Sequence, residues 1–286
     1  MSINWTMITL NGITYAGLLF MVASGFTLIF GLMRVVNMTH GIFYLLAAYL
    51  GLSAFRMYGN WWLAMLVSAV GVGVAAMLIQ VFLLQRVQGD ELRETLLTLG
   101  LASMIGDFLL AYYGGLPQLL SAPSYIARPL DLSFTVYPGI RIFVLCVAIL
   151  QGVLLGVTLR YTQLGRIIRA GVDDRQMVAS LGINIDRVFT CVFLFAGLMT
   201  GVSGLIGGSY IVFAPGEDMF ILTYAMVVVI IGGRGSLVGT ALGAMMVGLI
   251  DSYSKALAPQ FTMFLLFGTL MLVLAFRPYG LFGKGT

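Results

Sequence analysis

Five of the fifteen basic residues in this chain fall between positions 160 and 187, in the segment RYTQLGRIIRAGVDDRQMVASLGINIDR. Arg160, Arg166, Arg169, Arg175 and Arg187 share it with Asp173, Asp174 and Asp186. Guanidinium and carboxylate groups at this density set register against another surface through ion pairs and forked hydrogen bonds. They do not form the nucleophile, base and orienting group that catalysis requires. The remaining inventory is short: a zinc site with several protein ligands is excluded by one histidine, His40, and two cysteines, Cys146 and Cys191. Each cysteine lies inside an apolar run, where a free thiol acts as a small hydrophobe. No G-x-x-x-x-G-K-[ST] loop occurs, and Gly232-Gly233-Arg234-Gly235-Ser236-Leu237-Val238-Gly239 has neither nucleotide-binding spacing nor a following lysine. Any ATP must be bound by another chain.

The elements that would hold the basic segment are set by the composition. With 60% hydrophobic residues, 9% charged and a mean hydropathy of +1.03, the chain is far from a soluble domain, which carries about 25% charged residues. A polytopic all-α membrane protein is predicted, because a helix of roughly 20 apolar residues satisfies its own backbone across the bilayer. Apolar runs lie near 6–31, 38–57, 61–84, 95–113, 140–159, 188–210, 219–233, 237–254 and 261–276. The runs 219–233 and 261–276 are short for a full crossing, so eight to nine transmembrane helices are expected in one domain covering 1–286. The MSINW opening has no basic n-region and the first run is too long for a signal peptide, so no cleavage is expected.

If 160–187 faces the cytoplasm, alternation puts eleven basic residues inside and leaves only Arg56, Arg128, Arg141 and Lys255 outside. That bias predicts an outside N-terminus and an inside C-terminus. The net charge of +4 then reflects topology, and no nucleic-acid partner is implied. Within the segment, Ile167, Ala170, Met177 and Leu181 recur at helical spacing with charges between them, and Gly182 supplies a stop. A short amphipathic helix of this kind either docks a soluble motor or lies on lipid headgroups.

Other features stay open at the level of residues. Gly235, Gly239 and Gly243, Gly197 with Gly201, Gly204 with Gly208, and Gly152 with Gly156 recur every four residues, for close packing within the chain or against a second membrane subunit. Asn37, His40 and Gly41 interrupt an apolar stretch, and Asp107 reads as the sole acidic residue deep in a span. Polar groups at that depth pair with one another or line a path. His40 is either hydrogen-bonded scaffolding or a ligand or proton relay. The stretch 114–139 holds four of the seven prolines and reads as an ordered external loop. With Ala214 to Asp218 it would be either a landing surface for a partner or a lid over helix ends.

RAGVDDRQMVASLGINIDRVFTCVFLFAGLMTGVSGLIGG closely resembles the coupling loop and following helix of the H-type permease subunit of branched-chain amino acid ABC importers. FGLMRVVNMTHGIFYLLAAYLG, VVVIIGGRGSLVGTALGA and the closing RPYGLFGK resemble three further segments of that family, so the likeness extends over nearly the whole chain. The resemblance implies placement in the bacterial inner membrane and a second related permease subunit. It also implies two cytoplasmic ABC ATPases that bind ATP and Mg, and an extracytoplasmic substrate-binding protein. It assigns Arg169, Ala170, Asp174, Ala179, Gly182 and Ile183 to the loop that docks in an ATPase groove. Relatives import urea, amides or aromatic acids, and the rival class is an ion-coupled secondary transporter, for which Asp107 is the candidate proton-coupling carboxylate.

Overall fold

The computed structural model describes residues 4–33, 37–131, 136–173, 175–233 and 235–283. Among the described residues nine apolar helices carry the fold. They are α1 (Trp5–Met33), α2 (Thr39–Tyr58), α3 (Trp61–Phe82), α4 (Glu91–Tyr113), α6 (Gly139–Tyr161), α9 (Ile185–Tyr210), α10 (Asp218–Gly232), α11 (Leu237–Leu257) and α12 (Thr262–Phe276). Short α5 (Ser124–Ala127), α7 (Gln163–Asp173) and α8 (Arg175–Ser180) lie between them. Among the described residues eight segments are long and apolar enough to cross a membrane, the last extended to Pro259 by a single 3₁₀ turn. The shorter α10, at 15 residues, spans only about 22 Å at 1.5 Å per residue.

Helix starts follow side-chain chemistry. Asn60 caps α3 by accepting hydrogen bonds from the Trp62 and Leu63 amides at 3.0 and 3.2 Å. Asp90, Asn184 and Ser236 do the same for α4, α9 and α11, accepting from Arg93, Arg187 and Gly239. Each such cap satisfies amides that the first turn leaves orphaned.

Helix α1 is the most enclosed span and α12 the most peripheral. α1 packs against α6, α9, α10 and α11, and α9 packs against α3 and α2. Glycines allow these close crossings: a Cβ at Gly201 would sit 2.6 Å from the Ala69 Cα of α3, and one at Gly204 would sit 2.3 Å from the Tyr44 carbonyl of α2. Gly239 and Gly243 meet the α10 backbone in the same way. These four-residue repeats therefore pack helices within this chain. Cross-helix hydrogen bonds add direction, including Thr27 to Thr240 at 2.7 Å and the Ser68 hydroxyl to the Ala47 carbonyl at 2.8 Å. Of the two cysteines, Cys191 is half-buried, whereas Cys146 is exposed on the outer face of α6.

The proline-rich stretch lies at one end of the bundle, described except for residues 132–135. It contains α5 and a two-residue antiparallel hairpin of β1 (Leu130–Asp131) and β2 (Val136–Tyr137), with Leu130 opposite Tyr137. Gln118 exchanges backbone bonds with Phe213, and the Leu120 amide donates to the Gly208 carbonyl at 2.9 Å. Tyr137 anchors the hairpin to α1 through Thr14 at 2.9 Å. At the opposite end, two motifs far apart in sequence meet. The Leu281 and Phe282 amides donate to the Ile231 and Gly232 carbonyls at 2.8 and 3.1 Å, and Gly280 packs on Gly233.

Candidate coupling surface

The basic segment emerges where α6 ends at that opposite end. Thr162 accepts from the Gly165 amide at 3.0 Å, and a Cβ at Gly165 would lie 2.3 Å from the Thr158 carbonyl. The chain therefore folds back tightly, and α7 runs along α6 and α1. Ile168 is buried, Leu164, Ile167 and Ala170 are half-buried, and Arg166 and Arg169 are exposed. Helix α7 is thus anchored to the membrane domain by its apolar side and presents its arginines outward.

The described helical residues of this segment are α7 up to Asp173 and α8 from Arg175. Ile167 and Ala170 face the bundle, whereas Met177 and Leu181 are 52% and 70% exposed, with Val178 turned inward at 1%. Gly182 ends α8 with a positive φ of 79°, as its position in sequence predicts. It is exposed beside half-buried Ile183, and Asn184 then caps α9. Asp174 lies outside the described residues, as does the side chain of Ala179 on α8. The segment between α6 and α9 therefore exposes a cation, Arg169 on α7, and two apolar side chains, Met177 on α8 and Leu181 in the turn after it. It suits docking to a partner's groove: central apolar anchors with a charge to fix register.

The four other candidates separate into two groups. Asn37, His40 and Gly41 come together at the start of α2 in the packed interior. The Asn37 side-chain oxygen accepts from the Thr39 amide at 3.0 Å and also from the Thr39 hydroxyl. His40, fully buried, sits with Nε2 3.0 Å from the Val22 carbonyl of α1, so this nitrogen donates and Nδ1 is the unprotonated one. Its ring lies 5.3 Å from that of Phe26. Gly41 lets α2 cross α10, since a Cβ there would be 2.4 Å from the Asp218 carbonyl. Asp107, by contrast, is exposed on α4, facing away from α2, and among the described residues no hydrogen bond or ion pair joins it to Asn37, His40 or an arginine.

Asp107 is also not the sole acid within a span. Asp251, in α11, is buried, accepts from the Tyr224 hydroxyl at 2.6 Å and pairs with Lys255 at 2.8 Å. The apolar average of its run conceals it, and the signal that would have found it is Lys255 four residues on.

Known proteins give the arrangement its context. Residues 8–275 match the family described as the permease component of the branched-chain amino acid transport system. The high-affinity branched-chain amino acid transport system permease protein LivH of Escherichia coli K12 is 28% identical over 96% of this chain and 94% of its own length. A probable branched-chain amino acid transport permease protein LivH of Methanocaldococcus jannaschii is 26% identical over 97% of this chain and 92% of its own. The fructose import permease protein FrcC of Rhizobium meliloti is 29% identical over 54% of this chain and 46% of its own. No solved structure matches the chain significantly. The family match spans all nine apolar helices and the surface between α6 and α9, and on that extent this multi-span membrane protein belongs to the branched-chain amino acid ABC importer permease family.

Proposed function

We propose that this chain, acting as one permease domain, forms half of the translocation path of an ATP-driven importer for branched-chain amino acids. A second related permease supplies the other half, two cytoplasmic ABC ATPases bind ATP and Mg, and an extracytoplasmic binding protein delivers the solute. The chain itself holds no cofactor. It sits in the inner membrane with its N-terminus outside and its C-terminus inside, which puts α7 and α8 in the cytoplasm and the proline-rich hairpin end outside. The observation that carries the reading is the exposure of Arg169 on α7, Met177 on α8 and Leu181 in the turn after it, within one segment between two spans. Through α6 and α9 that surface passes ATPase closure into the bundle, a rigid-body input to packed helices. Arg169, Ala170, Asp174, Ala179, Gly182 and Ile183 make up the docking loop.

Along the path, Asp107 faces the partner permease or the solute. An ionised carboxylate turned toward hydrocarbon is costly, so its face of α4 belongs against protein or water. Asn37, His40 and Gly41 border the path from the start of α2 and hold its shape rather than bind solute. Accordingly His40→Gln, which keeps an N–H donor for the Val22 carbonyl, is expected to retain uptake. His40→Ala loses that bond and leaves a cavity, at a cost of about 2 kcal/mol in stability. Thermal unfolding in detergent and uptake of labelled leucine read the two effects separately. Loss of uptake in His40→Gln at unchanged stability would instead make the ring a proton relay.

Tagging this chain, purifying it gently from its native membrane and identifying what accompanies it by mass spectrometry tests the assembly. A second permease and two ATPase subunits are expected. Recovery of the chain alone, competent for transport without ATP, would contradict the proposal.

A further inference from the structure

Helix α3 packs on α9 and α6 packs on α1, and the gap between α3 and α6 is a lateral cleft of about 600 Å³. Met65 and Ala69 of α3 form one wall, Val147 and Leu154 of α6 the other, and Val192 and Leu198 of α9 the floor. Leu154 and Phe195, which also line it, are exposed, so the cleft opens sideways between two apolar spans. At one end the Trp62 ring closes it against Phe143, edge to face with centroids 6.1 Å apart. At the other, α7 folds beneath it with Leu164 and Ile168. Both Phe143 and Leu159 of α6 line the cleft, which therefore runs about 24 Å along the helix at 1.5 Å per residue.

The chemistry of the cleft selects its occupant. Gln151, the polar residue midway along it, directs its amide nitrogen to the Met21 carbonyl and the Ser24 hydroxyl, at 2.9 and 3.1 Å. Apart from Thr158 near the α7 end the remaining lining is apolar, so a zwitterionic solute would lose its hydration without gaining partners. A helix from a partner subunit is too large: one about 30 Å long and 10 Å across takes over ~2,000 Å³. A methylene group is close in size to a water molecule, ~30 Å³ in the liquid, so the cleft holds roughly twenty of them, one long acyl chain. Charge then fixes the class of lipid. Arg160 follows directly on Leu159 at the α7 end, Arg166 lies on α7 between Leu164 and Ile168, and both are exposed. Two guanidinium groups beside an apolar slot suit a phosphate headgroup. At the opposite end Arg141 is turned into the bundle, donating to the Asn11 side-chain oxygen.

We propose that the cleft between α3 and α6 binds one acyl chain of an anionic phospholipid, with the headgroup held by Arg160 and Arg166. The chain lies against both α6 and α9, the two spans that flank the coupling segment, and fills the gap between them.

A phosphatidylglycerol carrying a photoreactive diazirine in its acyl chain tests the site on the complete importer in detergent. After irradiation, peptide mapping by mass spectrometry is expected to find more label on the cleft residues of α3, α6 and α9 than on α12, the most peripheral span. Unlabelled phosphatidylglycerol removes the cleft label, and phosphatidylcholine with the same chains does not. Val147→Trp, which fills the cleft, lowers cleft labelling roughly tenfold and leaves α12 labelling unchanged. Arg160→Gln combined with Arg166→Gln alters only exposed positions. It raises the phosphatidylglycerol concentration for half-maximal cleft labelling about 30-fold, the scale of two arginines beside an anionic lipid. Label spread evenly over the helices, equal competition by phosphatidylcholine, or unchanged labelling in both the Val147 and the arginine variants would overturn the proposal. Label on α12 with none in the cleft would place protein there instead, and would overturn it as well. The importer reading stands under each of these outcomes.

Discussion

Leu181→Asp is expected to release the ATPase from the membrane assembly while the permease still inserts and folds. The Leu181 side chain is 70% exposed, so within this chain the substitution meets water rather than core. In the proposed docked complex the same side chain would fill an apolar groove, where an unpaired carboxylate costs about 3 kcal/mol or more, a loss of over ~100-fold in affinity. Arg169→Ala removes the charge that sets register and is expected to cost about 2 kcal/mol. Asp174→Ala belongs with it: solute-stimulated ATP hydrolysis and transport fall together in both, and membrane insertion survives. Co-purification of the ATPase checks the Leu181 result, and normal recovery together with normal uptake in Leu181→Asp and Arg169→Ala would remove the docking role from this surface.

Gly41→Val should act in the opposite sense, harming the fold wherever the chain is expressed. A Cβ at residue 41 falls 2.4 Å from the Asp218 carbonyl and 2.7 Å from the Leu222 Cβ. The first neighbour is backbone, which cannot rotate away, so α2 and α10 must separate. Overpacking of a tight core costs about 1–3 kcal/mol, and the β-branched side chain puts this site at the upper end or beyond. The expected readout is a lower thermal transition in detergent and a poorer yield of monodisperse protein. Gly41→Ala shares the backbone clash and should show an intermediate loss. A wild-type transition for both variants would mean that α2 and α10 are not held together at this crossing.

The spans were legible because a bilayer enforces length and apolarity together. The run read as 140–159 is Gly139–Tyr161, and that read as 237–254 is Leu237–Leu257. Where the helix and the hydrocarbon part company, hydropathy misleads. α4 begins at Glu91, not near 95, since Asp90 caps a charged first turn and Glu94 accepts from the Gly89 amide at 2.7 Å. Those residues are helical without being apolar. The segment proposed for coupling was legible as a charged interruption between apolar runs, but which of its apolar residues face the bundle was not, because that depends on packing against α6 and α1.

Burial of individual polar groups was less legible still. His40 is enclosed by neighbours from α1 and α9 that lie far away in sequence. Asp251 depends on Tyr224 from another helix. Sequence spacing contains none of those contacts, and Asp107, which sits just as deep in an apolar run, turns out to face outward on α4. A carboxylate in a span announces a partner without saying whether that partner is in the same chain.

The coupling of solute movement to ATP is the central claim. Uptake of labelled leucine into vesicles containing this chain, a second permease, the two ATPases and the binding protein measures it directly. Uptake is predicted to require ATP, to stop with vanadate and to fail in Leu181→Asp. Equal uptake without ATP, rising with an imposed proton or sodium gradient and lost in Asp107→Asn, would contradict the account and identify a secondary transporter.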